Sequence, residues 1–370
     1  MGRFGVCFGA MEDPRAANAR HDLAEVLFIA VAACVCGAES CVDMAEFGLA
    51  KETLFRQVLR LEHGIPSHDT FSRLFRFLDP ASFHAAFQRF MAEFSKAAAL
   101  TASEEGIVAL DGKTARRSFD RSRDASPMHV VSAWACGTRL VMGQRAVSRG
   151  GNEIDALLDL VAMLDLEGQV VTADAMHCQR RTATALLERR ADYVLALKEN
   201  QPALLADVRL LLDDPQAPPD SRAETVDGDH GRIETRRASV LSDIDYLRCE
   251  HAFPGLVAVA KIEASRELPD RTSTAVRYFL LSRAMPAERL LHIVRVHWGI
   301  ENSLHWVLDV IMDEDQTRNR RDHGPENLAL LRRFALNLLR TNPDKGSTRL
   351  KIKRAGWRDD FLLRVLGQMR

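Results

Sequence analysis

Two short apolar runs each end at a single aspartate, and this feature constrains the fold more than any other. Ile107-Val-Ala-Leu110 leads into Asp111-Gly112, and Gln169-Val-Val-Thr-Ala173 leads into Asp174. Short apolar runs bounded by turn residues are typical of buried strands. The carboxyl ends of strands in α/β sheets carry functional side chains, so both carboxylates are expected at one sheet edge. Each aspartate also has a structural interpretation, because Asp-Gly is a common turn and Asp174 is suited to capping a helix.

The segments around these runs predict a mixed α/β sheet. The further strand-like and amphipathic helical segments are, in chain order, residues 128–136, 140–147, 153–164, 181–190 and 193–197. Their order is three strands, a helix, a strand, a helix and a strand, which is typical of a sheet covered by helices. The predicted fold class is therefore α/β.

The rest of the chain is predicted to form helical and β-rich regions around this sheet. A stripe of phenylalanines at helical spacing (Phe83, Phe87, Phe90, Phe94) indicates a packed helix rather than a ligand site. The predicted divisions are a flexible N-terminus (1–20, with Met11 as an alternative start), a helical domain (21–100), the first part of the α/β core (101–200), a β-rich insertion (201–285), a helical completion of the core (286–340) and a basic C-terminal tail (341–370).

The charges nearly cancel but are unevenly distributed. The chain carries 50 basic and 51 acidic side chains, yet residues 316–370 contain 14 basic and 5 acidic ones. Such a basic end predicts a polyanion as partner. The 7 cysteines have no C-x-x-C spacing, which is typical of a reducing compartment. The longest apolar run, residues 26–36, is too short to span a bilayer, so we expect a cytoplasmic protein without a membrane partner.

A third acid is expected in the helical region near the C-terminus. If a helix continues through Gly299, then His297, Glu301 and His305 fall on one face. Two carboxylates on neighbouring strands repel each other, and Mg²⁺ bound by carboxylates and water relieves that repulsion. A packed helix with Glu–His hydrogen bonds remains an alternative, whereas this spacing is poorly suited to one tetrahedral zinc site.

Several motifs together resemble one family. Ala109-Leu-Asp111-Gly-Lys113-Thr, Thr172-Ala-Asp174-Ala-Met-His177 and His297-Trp-Gly-Ile-Glu301-Asn-Ser-Leu-His305-Trp resemble the DDE transposases of bacterial insertion sequences. The likeness is strongest to their H-repeat-associated (ISAs-type) branch. Cys36-Gly-Ala and Ile65-Pro-Ser-His-Asp-Thr-Phe71 resemble the associated N-terminal helical domain of that branch. Lys198-Glu-Asn200-Gln-Pro and His230-Gly-Arg232-Ile-Glu234-Thr-Arg236 also match, so the likeness covers roughly residues 13–340.

The resemblance implies a fold and a reaction. The fold would be an RNase H-like core, interrupted by a β-rich insertion before the helix that carries the last acid. Asp111, Asp174 and Glu301 would be the DDE triad and would hold two Mg²⁺ ions, with Mn²⁺ as a substitute. The reaction would be hydrolysis at the transposon end, followed by attack of the 3′-OH on target DNA. The implied partner is double-stranded DNA, both transposon ends and target, bound by a homodimer on nucleoid DNA.

One part of the family pattern is missing. Related transposases with an inserted β-domain often have Tyr-x-x-Arg-x-x-x-Glu and a Lys seven residues after the Glu. This chain has Val294, His297 and Leu308 at those places. The resemblance therefore supports Glu301 as the third acid more firmly than it supports phosphate-binding residues beside it. Asp309 and Asp313-Glu-Asp315 are the fallback acids.

Candidate DNA contacts are polar or aromatic residues near the motifs and in the basic end. They are Lys113, Arg116, Arg117, His177, Lys198, Asn200, Arg232, Arg236, His297, Trp298, Asn302, His305, Arg318, Arg320 and Arg321. Each cation is also compatible with a solvated surface charge. Two other functions remain open: a nuclease or degenerate element protein that does not transpose, and a DNA-binding regulator without catalysis.

Overall fold

A nine-stranded sheet lies at the centre of the structure. The computed structural model describes residues 2–15, 19–97, 106–119, 126–148, 150–214, 218–229 and 232–369. The strands are β1 (Ile107–Ala115), β2 (Met128–Ala135), β3 (Leu140–Ala146), β4 (Val170–Ala173), β5 (Asp192–Leu197), β6 (Ser221–Asp229), β7 (Arg232–Leu241), β8 (Ala258–Leu268) and β9 (Arg271–Leu281). Their order is β3-β2-β1-β4-β5-β9-β8-β7-β6. Strands β1, β4 and β5 are mutually parallel, and the other pairs are antiparallel.

The predicted α/β class is confirmed, but β1 does not end at its aspartate. Leu110 pairs with Ala173, the last residue of β4, whereas Asp111 and the residues after it pair only with β2. Strand β1 therefore extends beyond β4 at this edge. The apolar run in the sequence ends at Leu110 because every residue of β1 is buried only where the strand is flanked on both sides; beyond that point buried and more exposed residues are mixed.

The predicted β-rich insertion extends the central sheet. Strand β9 pairs with β5, with Leu197 opposite Tyr278, so β6–β9 continue the same hydrogen-bonded ladder. The sequence predicted three of these strands and missed β6, which is polar and largely exposed along its length. Only the last four residues of β9 are buried, where they meet the core.

Helices cover the sheet and form a large separate layer. They are α1 (Gly2–Phe8), α2 (Leu23–Val35), α3 (Cys41–Ala50), α4 (Glu52–Phe55), α5 (His68–Phe77), α6 (Pro80–Ala97), α7 (Glu153–Met163), α8 (Arg180–Glu188), α9 (Pro202–Asp213), α10 (Asp245–His251), α11 (Ala287–His297), α12 (Trp306–Val310), α13 (Gly324–Thr341), α14 (Thr348–Trp357) and α15 (Asp359–Gly367). Among the described residues, no helix combines the length and apolarity that crossing a bilayer requires.

Both ends of the chain lie in the helical core. Part of the expected flexible N-terminus forms α1, whose Phe4 and Phe8 are buried and stack against Phe334 of α13. The Phe4 N–H donates to the Met369 carbonyl at 3.0 Å. A seven-residue helix with two apolar anchors gives too short a pattern to be identified from sequence. Residues 16–18 of the same expected segment lie outside the described residues.

The predicted basic tail is also folded. Helices α14 and α15 bury apolar faces that include Ile352, Phe361 and Leu362. Lys351 is buried, and its ammonium donates to the carbonyls of Leu339 and Asn342 at the end of α13. Part of the counted positive charge therefore caps a helix, where it satisfies carbonyls that have no partner within the helix.

Candidate active site

Three carboxylates from separate segments converge at the carboxyl end of β4. Asp111 lies on β1, Asp174 directly follows β4, and Glu301 lies between α11 and α12. We call these three residues the carboxylate site. His305 links two of them, because its Nδ1 lies 3.0 Å from Glu301 Oε2 and 3.5 Å from Asp111 Oδ2. One potential ligand atom from each of Asp111, Glu301 and His305 lies within 4.8 Å of the other two.

A local change of helix geometry places these side chains. Residues Ile300–His305 form a π-helical turn between α11 and α12, while the backbone stays right-handed through Gly299. The predicted helix therefore continues, but with one wider turn. Such turns insert an extra residue and are frequent at functional sites. His297 consequently faces Asp174, with 3.6 Å between its Nε2 and Oδ1, and His305 faces Asp111.

The second aspartate is held by His297 and faces an open pocket. The other ring nitrogen of His297, Nδ1, lies 2.8 Å from Thr172 Oγ1 on β4, which fixes the ring orientation. A pocket of about 380 Å³ is lined by Asp111 and Asp174, with Lys198 at its rim. Asp174 and Glu301 are both exposed, so a substrate can reach their carboxylates.

The electrostatics separate the two aspartates. Burial, with the nearby charge of Asp174, raises the pKa of Asp111 to about 6. The His297 ring lowers the pKa of Asp174, against the effect of burial. Burial lowers the pKa of His305, which favours the neutral imidazole. When one charged carboxylate opposes ionisation of its neighbour, a bound divalent cation stabilises the ionised form of both.

A second group of titratable side chains lies against the carboxylate site. Glu153, the first residue of α7, bridges His129 of β2 and His177, with distances of 2.7 Å and 3.0 Å to their Nε2 atoms. We call these three residues the histidine bridge. Burial opposes ionisation of Glu153, but the two imidazoles outweigh it and lower its pKa to about 2. The expected DNA contact by His177 stays a prediction, and this side chain is buried.

Sequence reasoning missed Glu153 and His129, although Gly112 was a signal. A Cβ at position 112 would lie 2.2 Å from Glu153 Oε1 and 2.5 Å from His129 Nε2. Glycine inside a strand often marks such a close approach. The sequence indicated a turn at Asp111-Gly112, and the structure has a strand with a side chain packed against its bare face.

Lys113 is the centre of a buried ion-pair cluster. Its Nζ lies 2.5 Å from Asp309 and 3.3 Å from both Glu314 and Asp315. Arg333 completes this ion-pair cluster, with its Nη1 2.7 Å from Glu314 Oε1. The expected DNA contact by Lys113 stays a prediction, and its charge is already paired within this cluster. Of the fallback acids, Asp309, Glu314 and Asp315 are paired with Lys113. The fourth, Asp313, lies beside Glu39, whereas Glu301 lies beside His305 and Asp111.

Comparison with known proteins identifies the family. Residues 102–338 match the family described as "Transposase DDE domain", and residues 6–91 match "DDE_Tnp_1-associated". The chain belongs to the DDE transposase family. The resemblance seen in the sequence motifs is thereby confirmed.

Full-length relatives agree with this assignment. The chain is 33% identical over 356 residues to "H repeat-associated putative transposase YhhI" of Escherichia coli, covering 94% of this chain and 92% of YhhI. It is 42% identical over 278 residues to an uncharacterized protein in the dhlA 3′ region of Xanthobacter autotrophicus, covering 74% and 92%. The solved synaptic complex of piggyBac transposase with hairpin DNA aligns with 97% of this chain and 80% of its own, at 12% identity and a TM-score of 0.43.

Several expected DNA contacts of this transposase lie near the carboxylate site. Lys198 and Asn302 are exposed there, and Asn200 donates to the Ala175 carbonyl at 2.7 Å, which fixes the turn after Asp174. Trp298 is 44% exposed, and the Arg277 guanidinium lies 5.0 Å from its ring centroid. Of the expected histidine contacts, His297 and His305 are engaged with the carboxylates instead.

The remaining expected contacts fall in two other places. On β7, Arg236 is paired with Asp227 and Glu234, and Arg232 is half-buried at the start of the strand. Asp227 also binds Arg295 of α11, so this pair joins the outer strands to the helix before Glu301. The second group is Arg116 and Arg117 after β1 and Arg318, Arg320 and Arg321 before α13, where Arg320 Nε donates to the Arg117 carbonyl.

Proposed function

We propose that this DDE transposase is an active insertion-sequence enzyme whose triad is Asp111, Asp174 and Glu301. The observation that supports this most is their convergence at one sheet edge from three distant segments, with both aspartates facing one open pocket. Three of the four competing acids, Asp309, Glu314 and Asp315, are paired with Lys113, which supports Glu301 as the third member.

We further propose an RNase H-like core built from residues 101–200 and 286–340. The order β3-β2-β1-β4-β5, with β1 antiparallel to β2 and parallel to β4, supports this proposal. Strands β6–β9 would then be the insertion before the helix that carries Glu301. Asp227 of the insertion contacts Arg295 of α11, which supports a role for the insertion in positioning the helical segment that carries Glu301.

The residues present fit divalent cations. Asp111, Asp174 and Glu301 would together hold two Mg²⁺ ions, because hard cations prefer carboxylate oxygens. The raised pKa of Asp111 agrees with this fit, because burial, and then the charge of Asp174, opposes ionisation of this carboxyl. When bound, such ions activate an attacking oxygen and stabilise the leaving one, and Mn²⁺ is an expected substitute.

The protein side chains orient the carboxylates for this chemistry. His305 holds Glu301 and Asp111, and His297, anchored on Thr172, holds Asp174. Exposed Lys198 beside Asp174 would attract a phosphate of the DNA strand. The proposed substrates are transposon ends and target DNA in the nucleoid, joined through the released 3′-OH by a homodimer.

Three conservative variants test the assignment. Asp111→Asn, Asp174→Asn and Glu301→Gln should each abolish Mg²⁺-dependent cleavage and strand transfer on duplex carrying the element's ends, while duplex binding persists. Glu199→Gln is the matched control, because this exposed acid lines the same pocket without touching the other carboxylates. Cleavage without joining by the wild type would indicate a nuclease instead. Full biological activity in all three variants would indicate a non-catalytic DNA-binding regulator and refute the triad.

A further inference from the structure

A second pocket, of about 440 Å³, lies between α5 and the start of α13. Four arginines from two distant segments line it: Arg76, Arg318, Arg320 and Arg321. We call it the arginine pocket. Gly324, the first residue of the 18-residue helix α13, also lines it, and its N–H donates to the Arg321 carbonyl at 3.0 Å. The positive charge of the pocket therefore comes from its arginine side chains.

Two of the four guanidinium groups are available to a ligand. Arg76 is paired with Asp322 at 2.7 Å, and Arg320 is held by the Arg117 carbonyl and packs over the Phe119 ring. By contrast, the side chains of Arg318 and Arg321 are exposed, and neither has an ion pair or side-chain hydrogen bond among the described residues. Clustered cations without acidic partners repel one another, and an anion removes that repulsion.

The arginine pocket lies within reach of DNA bound at the carboxylate site. Arg320 contacts Arg117, six residues after Asp111 along β1 and the following turn. Six extended residues span at most about 20 Å. Each strand of duplex DNA advances about 3.4 Å per nucleotide, so this separation corresponds to roughly six base pairs. A duplex with one phosphate at the carboxylates can thus place another at the pocket.

We propose that the arginine pocket binds a backbone phosphate of the DNA substrate, several base pairs from the reacting bond, through Arg318 and Arg321. This inference rests on the proposed function in one respect, that duplex DNA is the substrate. Phosphate contacts fix the position of a protein on DNA and carry no sequence information. The pocket would therefore set how the duplex lies relative to the carboxylate site. The arginine pocket is lined by residues of the N-terminal helices and of the segment before α13, so both parts of the chain would contact the same DNA.

The salt dependence of duplex binding tests this proposal. Each lost phosphate contact lowers the slope of log affinity against log salt by about 0.9. For the full-length double variant Arg318→Gln/Arg321→Gln, which loses one phosphate contact, the affinity loss between 50 and 200 mM NaCl should be roughly 3.5-fold smaller than for the wild type. The measurement is fluorescence anisotropy with a 30-base-pair duplex in EDTA, which removes contributions from divalent cations.

Two further variants separate charge from structure. Arg318→Lys/Arg321→Lys should keep the wild-type slope, because lysine also neutralises a phosphate. Arg190→Gln removes an exposed arginine near the opposite edge of the sheet, where its carbonyl accepts from Gly168 before β4, and should leave the slope unchanged. Equal thermal melting of all variants is expected, since the substituted side chains are exposed.

Two outcomes overturn the proposal. One is a slope for the glutamine double variant equal to that of the wild type. The other is stabilisation of the wild type, but not of this variant, by inorganic phosphate without any difference in duplex binding, which would assign the pocket to a free anion. Failure of the proposed function is a separate result: a wild type that never cleaves, but whose slope still depends on Arg318 and Arg321, would retain the pocket and lose the triad.

Discussion

Replacing Arg333 with methionine should strongly destabilise the protein, because it removes a partner of a buried carboxylate. The side chains of Arg333 and Glu314 are 1% and 3% exposed, with 2.7 Å between Nη1 and Oε1. Methionine has a similar length and no charge. The variant would leave Glu314 with Lys113, 3.3 Å away, as its remaining cation in the ion-pair cluster.

The expected loss is about 3 kcal/mol. Burial opposes ionisation of Glu314, but Arg333 and then Lys113 outweigh it and lower its pKa from 4.5 to about 2. That difference corresponds to about 3 kcal/mol, at 1.36 kcal/mol for each tenfold change in the ionisation constant. Breaking a buried pair by removing one partner typically costs about 3–5 kcal/mol. The two routes agree in magnitude.

The pH dependence follows from the direction of this pKa. A carboxyl group whose pKa is lower in the folded state stabilises fully above its unfolded value, here about 4.5, and loses that contribution as pH falls toward 2. The difference between wild type and Arg333→Met should therefore be largest at pH 7 and smaller at pH 3.5. The double variant Glu314→Gln/Arg333→Met should cost less than the sum of the single changes, because no charge is left unpaired.

Equilibrium urea denaturation, followed by tryptophan fluorescence at both pH values, measures these differences. The reasoning is refuted if Arg333→Met costs less than about 1 kcal/mol at pH 7, which is the range of an exposed ion pair. An equal cost at pH 7 and pH 3.5 would also refute it, because the loss would then come from packing rather than from the charge of Glu314.

Three other changes have defined outcomes. Gly112→Ala should lower the cleavage rate about 10²-fold with little change in duplex affinity, because its Cβ displaces Glu153 and shifts the adjoining carboxylate; an unchanged rate in a single-turnover assay would contradict this. Asp111→Asn in EDTA should melt at a higher temperature than the wild type at pH 7.5 but not at pH 4, because a pKa raised to about 6 makes ionisation costly to the folded state above pH 3.8; calorimetry at both pH values measures this. Phe361→Ala should cost about 3–5 kcal/mol in urea denaturation without altering the salt dependence of DNA binding, because α15 is part of the core.

The sequence predicted those parts of the structure that depend on local pattern. The central strands followed from short apolar runs, and Glu301 followed from a motif with a fixed spacing to His305. Burial of a strand on both faces produces such runs whatever its partners are. This explains why the α/β class and the convergence of the aspartates were accessible without coordinates.

Features that depend on distant partners were not predictable in the same way. Lys113 was interpreted as a DNA contact because its partners, Asp309 and Glu314, lie about two hundred residues away in the chain. His177 was interpreted likewise, and its partner Glu153 carries no pattern of its own. A charged side chain in a sequence gives its charge but not its counter-ion, so charge counts alone overstate the basic surface.

The hydrogen bond between Phe4 and Met369 has a consequence for biosynthesis. Because α1 packs on Phe334 and hydrogen-bonds to Met369, the N-terminal core cannot close until both of these residues have left the ribosome. The packing of α1 is therefore delayed until nearly all of the residues described here have been synthesised. A gene copy that is truncated or frameshifted near its 3′ end would lose the packing of its N-terminal helix as well, and would leave its phenylalanine cluster exposed to aggregation and proteolysis.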